Sequence, residues 1–570
     1  MPVWTPGSYL VREFSKNVLD LDAKLIDSNR KARSYKVSKN EWIVETDGSD
    51  EVEINYHVYA FELSVNTSYL DDKHGIINGA SIFMYIQGME NVEGDLEVHR
   101  FKDWKKISTG LHEIGKPDSE TSRFLIPNYD ILVDSPIEIG NQNLHAFRLE
   151  GINYEVSIFS ISKFDEGAFV SDIKKIVGAT TKVFSEVPYD RYIFIVDFTA
   201  DSYGGLEHLN STYCLASIFR LEPPYEYREF LSLFSHEFFH AWNVKRMRPK
   251  GLGPFDYTKE TYTKSLWIAE GITSYYDDLL IRRAGIFSVS EYLEAFSSII
   301  SQMKSLPGSR RQSAQEASFD AWIKHYRQNE NSPNVLLSYY TQGAVIGWLL
   351  DMEIRRSTGS SRTLDDAMKK TYSATYGSKN RGFTDEEFEQ ICEEISGSSA
   401  ITTIFKQRVE GRTDVDFERY LGYAGLKLVP KKEEKRIGFL GLRLKDEAGR
   451  VIVNNVLSSS PAEMTGLSPS DEIIGANDIR MDKARLSFYL SNRKPGELIT
   501  LSVARLGSLF QIEAHLIEKP VLEFRITKKE QASVEEKQLF ENWLGASWSE
   551  EIKFEDYRAS PVRTNVLDYV

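Results

Sequence analysis

Two histidines four positions apart, with a glutamate directly after the first, form His236-Glu237-Phe238-Phe239-His240. On an α-helix this spacing sets both imidazoles on one face. They can then bind one metal ion while the Glu237 carboxylate faces the water that the ion activates, which is machinery for hydrolysis. The bland alternative is a buried helix whose histidines are satisfied by hydrogen bonds. The run from Tyr227 to Val244 is dense in apolar residues, among them Phe230, Leu231, Phe234, Phe238 and Trp242. That density is expected of a helix enclosed by the core, so a metal here would lie in a shielded pocket.

A catalytic zinc ion normally has three protein ligands and one open position, so a third donor is required. Glu270 is the candidate. It lies in the apolar, helix-like stretch from Ser265 to Tyr276, where a carboxylate is costly to bury unless something compensates it. The alternative is a glutamate on a helix surface. Glu237 would act as general base, taking a proton from the activated water and passing it to the leaving amine. Earlier, Gly204-Gly205-Leu206-Glu207-His208 follows a strand and a turn. Glycines there would let a peptide backbone approach closely, and Glu207 could pair with a free α-amino group. A hairpin turn with a solvated glutamate fits the same five residues. Tyr339 and Tyr340 open a further apolar, helix-like stretch ending near Leu350. A phenol there could donate to an oxyanion, or simply pack with its hydroxyl satisfied.

These residues need elements to hold them. Residues 1–150 carry short alternating segments such as Trp42–Val44 and Val52–Tyr59 between Gly, Asn and Asp turns, and read as an all-β domain. From 151 the pattern changes: Arg191–Phe198 reads as a buried strand, and helical stretches follow from Tyr227. Strand first and helices later imply an α+β catalytic domain at 151–430 with a mostly helical second half. The charged stretch Pro430–Lys435 reads as an exposed connection. A small β-rich module follows at 431–520, then an extension at 521–570, acidic near Trp548–Asp556, to which the sequence assigns no function.

Composition limits the options. A chain of 570 residues exceeds one core, so several domains are expected. With 41% hydrophobic and 27% charged residues it is not largely disordered, and no segment approaches twenty uninterrupted apolar residues. The start of the chain lacks a signal-peptide pattern, and Cys214 and Cys392 are too few for a disulfide framework or a Cys-built zinc site. A cytoplasmic location is the resulting expectation. A formal net charge of −15 argues against nucleic acid and anionic membrane as partners.

Taken together, the pieces resemble the glycyl aminopeptidase family of metallopeptidases, related to aminopeptidase N and thermolysin among the gluzincins. Pro2–Leu10 resembles the family's N-terminal signature, and His236 to Pro249 (HEFFHAWNVKRMRP) its zinc helix. The chain opens almost inside that signature, so preceding β-strands are expected, with either a shortened first domain or a misjudged start site as the reading. The resemblance implies a thermolysin-like catalytic domain and one zinc ion per chain on His236, His240 and Glu270, with Glu237 as base. It also implies that Gly204, Gly205, Glu207 and His208 form the motif anchoring the substrate amine, His208 standing where relatives carry Asn, and that Tyr340 serves the oxyanion. Residues 436–520 are similar to a PDZ domain, with Gly438-Phe439-Leu440-Gly441 as its carboxylate loop. Such a domain captures extended peptides or chain ends by strand addition.

The expected activity is therefore zinc-dependent removal of small N-terminal residues, Gly or Ala, from peptides with a free N-terminus. An endopeptidase with the same metal centre and a non-catalytic PDZ-type peptide-binding scaffold are the competing readings. Oligomeric state and the ligand of the PDZ-like module are not legible in the sequence.

Overall fold

The computed structural model describes residues 1–115, 120–184, 186–222, 224–431, 436–553 and 569–570. The chain is α+β and multidomain: β-rich at its start, helical in the middle and β-rich again in a C-terminal module. It divides into two compact units. Met1–Thr263, Tyr276–Ile286 and Asp365–Ile391 form the first; Lys264–Tyr275, Phe287–Leu364 and Cys392–Val570 form the second. Among the described residues no helix is long and apolar enough to cross a membrane.

The first unit begins with small antiparallel sheets, in which Val18–Leu25 pairs with Val52–Val58. The N-terminal segment is held down against later residues: Trp4 is fully buried, its Nε1 donating to Asp256 O at 2.8 Å. The sheet that positions the chemistry has five strands in the order Asn143–Leu149, Ile152–Ser160, Arg191–Thr199, Ser211–Ser217 and Gly204–Glu207. Its three central strands run parallel, and a parallel pair needs a crossover, supplied first by the helix Glu166–Thr180. Seven of the nine residues in Arg191–Thr199 are buried, as a nearly unbroken apolar run between covered faces requires. Asp197, the one acid in that strand, accepts a hydrogen bond from Tyr213 Oη at 2.8 Å. Gly204–Glu207 turns back antiparallel to Ser211–Ser217 and forms one edge of the sheet.

The helical run holding Glu270 is π-helical over Trp267–Ile272, in the second unit, and continues as the α-helix Thr273–Arg283. Single π-turns inserted in α-helices recur at functional sites. This run crosses the helix Tyr339–Thr358 at two glycines. A Cβ on Gly271 would lie 2.4 Å from Gly343 Cα, and one on Gly343 would lie 2.2 Å from Trp267 O. Backbones come this close only where the contacting residues lack a side chain.

The C-terminal module has the strand order Leu442–Glu447, Arg450–Val456, Glu472–Ala476, Leu498–Arg505, Ser508–His515, with Ile479–Arg480 paired to Glu472–Ala476. Its core is its own, built from residues such as Leu442, Val453, Ile473, Leu486 and Leu501. The strand before it, Leu426–Pro430, pairs antiparallel with Phe524–Lys528 after it. The extension beyond 521 thus returns to the helices: Ser301 Oγ accepts from Phe524 N–H at 2.9 Å, and Trp543 Nε1 donates to Tyr275 Oη at 3.0 Å. Of the expected connection Pro430–Lys435, Pro430 and Lys431 are exposed and 432–435 lie outside the described residues. The acidic stretch expected near Trp548–Asp556 leaves them after 553.

Gly343→Ala is expected to lower the thermal unfolding midpoint by a few degrees, because the added methyl must push the Trp267 turn away at a cost of about 1–3 kcal/mol. A calorimetric midpoint equal to that of the parent would show that the crossing tolerates a side chain.

Candidate active site

The helix Pro224–Phe239 carries His236 and Glu237. Hydrophobic spacing extends it to Val244, but the chain leaves the helix after Phe239, with the His240 N–H still donating to His236 O at 3.3 Å. The turn that follows brings Asn243 O to His240 Nδ1 at 2.6 Å. A carbonyl only accepts, so Nδ1 carries the proton and Nε2 the lone pair that a metal would take. His236 Nδ1 lies 3.2 Å from Asp277 Oδ2, which orients that ring in the same way. The turn itself is fixed by Arg246, whose buried guanidinium donates to Ala241 O, Leu209 O, Pro188 O and Asn210 Oδ1 at 2.7–3.0 Å.

Glu237 lies against the edge strand Gly204–Glu207. A Cβ on Gly205 would sit 2.3 Å from Glu237 Oε1 and 2.5 Å from its Cγ. Gly205 therefore makes room for a carboxylate of the protein itself, whereas Gly204 has space for a side chain, with Val65 3.5 Å away. Two residues on, Glu207 lies on the same face of the strand as Gly205. Ligand atoms of Glu207, Glu237 and His240 are within 4.8 Å of one another, and so are those of His236, His240 and Glu270; all five residues are buried. The second set has the chemistry of a catalytic zinc site, two imidazoles held in the tautomer that presents Nε2 plus one carboxylate. The first set would consume the acid needed as base.

Glu207 is covered by the N-terminal loop. Gly7 has φ +89°, and a Cβ there would lie 2.6 Å from Glu207 Oε2. This is the structural use of the Pro6-Gly7-Ser8 part of the signature. Beside the loop a cavity of about 290 Å³ is lined by residues including Trp4, Gly7, Tyr9, Glu207 and Arg248. His208 turns to Asp134, Nδ1 to Oδ1 at 3.2 Å, and Lys245 Nζ donates to the same oxygen at 2.6 Å. Burial pushes the Asp134 carboxyl up, but Lys245 and His208 outweigh it and hold the group below the usual carboxylate range. His208 thereby fixes the end of the edge strand.

Tyr340 stands in the first turn of Tyr339–Thr358, its N–H donating to Ser338 Oγ at 3.1 Å. It is half-buried, stacked on Tyr339 at 4.8 Å and 5.5 Å from the His325 ring. Burial lowers the His325 pKa to about 4 even though the Glu270 charge opposes the shift, so this imidazole is neutral at pH 7. No motif marks His325 in the sequence. Asp277 left a trace, an acid seven residues after Glu270 in one helical run; Asn243 left none, because it acts through its main-chain oxygen. In the PDZ-like module, Leu440, Gly441 and Leu442 donate to Val570 O, while Gly438 N–H donates to Arg493 O at 2.8 Å and Phe439 packs with Leu457, Leu522 and Tyr569.

Residues 229–346 match the family model described as M61 glycyl aminopeptidase, residues 1–141 that of the peptidase M61 N-terminal domain, and residues 438–516 that of a PDZ domain. The crystal structure of an aminopeptidase N family protein from Idiomarina loihiensis is 30% identical, with 95% of this chain and 94% of that one covered and a TM-score of 0.89. An M1 zinc metallopeptidase from Deinococcus radiodurans is 13% identical over 70% of this chain and 85% of its own, with a TM-score of 0.44. Yeast LTA4 hydrolase in complex with bestatin is 14% identical over 73% and 61%, with a TM-score of 0.42. Among curated proteins, none matches the sequence.

Gly205→Ala is expected to displace Glu237 and reduce kcat by about a hundred-fold or more while metal content is retained. Metal analysis beside steady-state kinetics checks this, and an alanine enzyme of parental kcat would contradict it. Asp277→Asn is expected to weaken metal retention by roughly ten- to a hundred-fold in competition with a chelator.

Proposed function

The chain belongs to the glycyl aminopeptidase family of metallopeptidases, and from that premise we propose that it is a zinc-dependent aminopeptidase releasing small N-terminal residues, glycine or alanine, from peptides with a free N-terminus. One observation carries the reading: the Glu207 carboxylate lies within 4.8 Å of ligand atoms of Glu237 and His240. An acid suited to holding an ammonium group thus sits one peptide unit's reach from the base.

His236, His240 and Glu270 would hold one zinc ion per chain, which when bound lowers the pKa of water and polarises a carbonyl. Glu237 removes the proton from the attacking water and delivers it to the amine that leaves. Glu207 pairs with the substrate ammonium, so that the first peptide bond is the one presented. Gly204 leaves the edge strand bare enough for extended substrate to lie beside it, while Gly205 makes room for the base Glu237. Tyr340 donates a hydrogen bond to the oxyanion as the carbonyl becomes tetrahedral. The preference for small residues is supported by the family and by the closeness of the Gly7 backbone to Glu207, which narrows the space around the amine anchor. A cytoplasmic location is supported by the scarcity of cysteines, of which the sequence has two, both buried.

Glu237→Gln is expected to reduce hydrolysis of glycyl and alanyl reporter amides by orders of magnitude. Chelation should abolish the activity and zinc should restore it. Acetylated peptides should resist cleavage, and products should be single amino acids; internal fragments would identify an endopeptidase instead.

A further inference from the structure

The last two residues of the sequence, Tyr569 and Val570, lie in the peptide groove of the PDZ domain. Val570 N–H donates to Leu442 O at 2.8 Å, and Val570 O accepts from Leu440 N–H at 3.2 Å, Gly441 N–H at 2.7 Å and Leu442 N–H at 3.2 Å. Val570 and Leu442 thus exchange both main-chain bonds, as one rung of an antiparallel ladder, on Leu442–Glu447, the edge strand of the sheet. Three successive N–H groups converging on one oxygen form a nest of the kind that captures the end of a chain.

The nest is braced. Leu457 N–H donates to Gly441 O and Ala462 N–H to Leu440 O, both at 2.9 Å. Gly441 has φ +87°, and a Cβ on it would lie 2.2 Å from Ser460 Cβ, so the loop can take this shape only with glycine there. The two side chains are also placed. Val570 packs on the PDZ core, and Tyr569, 3% exposed, lies with Phe439, Leu457 and Leu522. The buried Tyr569 hydroxyl meets no hydrogen-bond partner among the described residues.

We propose that the PDZ groove reads peptides ending in aromatic-valine, and that its resident ligand is the Tyr569-Val570 pair of the same chain, which outside peptides of that form must displace. The donors are Leu440, Gly441 and Leu442, one position further along than the sequence pattern suggests. Occupancy in cis masks the groove because an intramolecular ligand competes at an effective concentration on the order of millimolar.

The test is fluorescence anisotropy with a labelled hexapeptide of the sequence of residues 565–570, added to the full chain and to two altered chains. One lacks Tyr569 and Val570; the other keeps every residue and adds two glycines after Val570. Both altered chains are expected to bind the peptide at least about ten-fold more tightly than the full chain. The peptide amide should bind at least ten-fold more weakly than the acid, and the peptide with phenylalanine for tyrosine should bind as well as the parent. Equal affinity for full and altered chains would overturn the proposal, as would equal binding of amide and acid. A full chain that is dimeric in solution, and becomes monomeric when the last two residues are removed, would assign the ligand to a second copy and overturn occupancy in cis. None of these readouts depends on hydrolysis, so failure here is distinct from failure of the proposed activity.

Discussion

Holding two imidazoles and three carboxylates out of water is the constraint on which the rest of the structure depends. His236, Glu237, His240, Glu207 and Glu270 are each no more than 8% exposed. Acids so placed are tolerable only where nearby positive charge or donors compensate them. Much of the surrounding sequence serves to aim these groups rather than to shield them. Asp277 and Asn243 O set the rings, Gly205 yields its side-chain space to Glu237, and Arg246 ties the turn after the helix to the loop beyond the edge strand. A bivalent cation is the counter-charge that such a donor set fits.

The parts legible in the sequence are those that local spacing encodes. The separation of His236 and His240 follows from helical geometry, and Arg191–Thr199 is the buried strand that its apolar run implies. The illegible parts depend on partners distant in sequence. Spacing could not show that the helix would end at Phe239, because Trp242 and Val244 are buried as well, in the turn rather than in helix. Nor could it show which glycine of Gly204-Gly205 was needed, since only Gly205 faces the base. The extension after 521 lacks a motif because much of its docking is through main-chain groups, such as the N–H groups of Phe524 and Ile526 that donate to Ser301 and Ser297, beside single side chains such as the Trp543 indole that reaches Tyr275.

Glycine has three separate uses around the site, which composition alone would merge. Gly7 bends a loop over Glu207, Gly205 clears space for a side chain of the protein, and Gly271 with Gly343 lets two helices touch. Only the first needs a positive φ; the others need the absence of a Cβ. The last pair also fixes Tyr339–Thr358 against the π-turn that carries Glu270, linking the candidate oxyanion donor to the candidate third ligand through backbone contact.

The pairing of Pro430 with Phe524 means that the chain departs for the PDZ domain and comes back at neighbouring points of one two-stranded ladder. A domain attached in this way is a cassette: nothing in the threading of the peptidase core passes through it. Evolution can lengthen, exchange or delete such an insert while the strands at its root close as an ordinary hairpin, so the two domains are free to diversify on separate schedules.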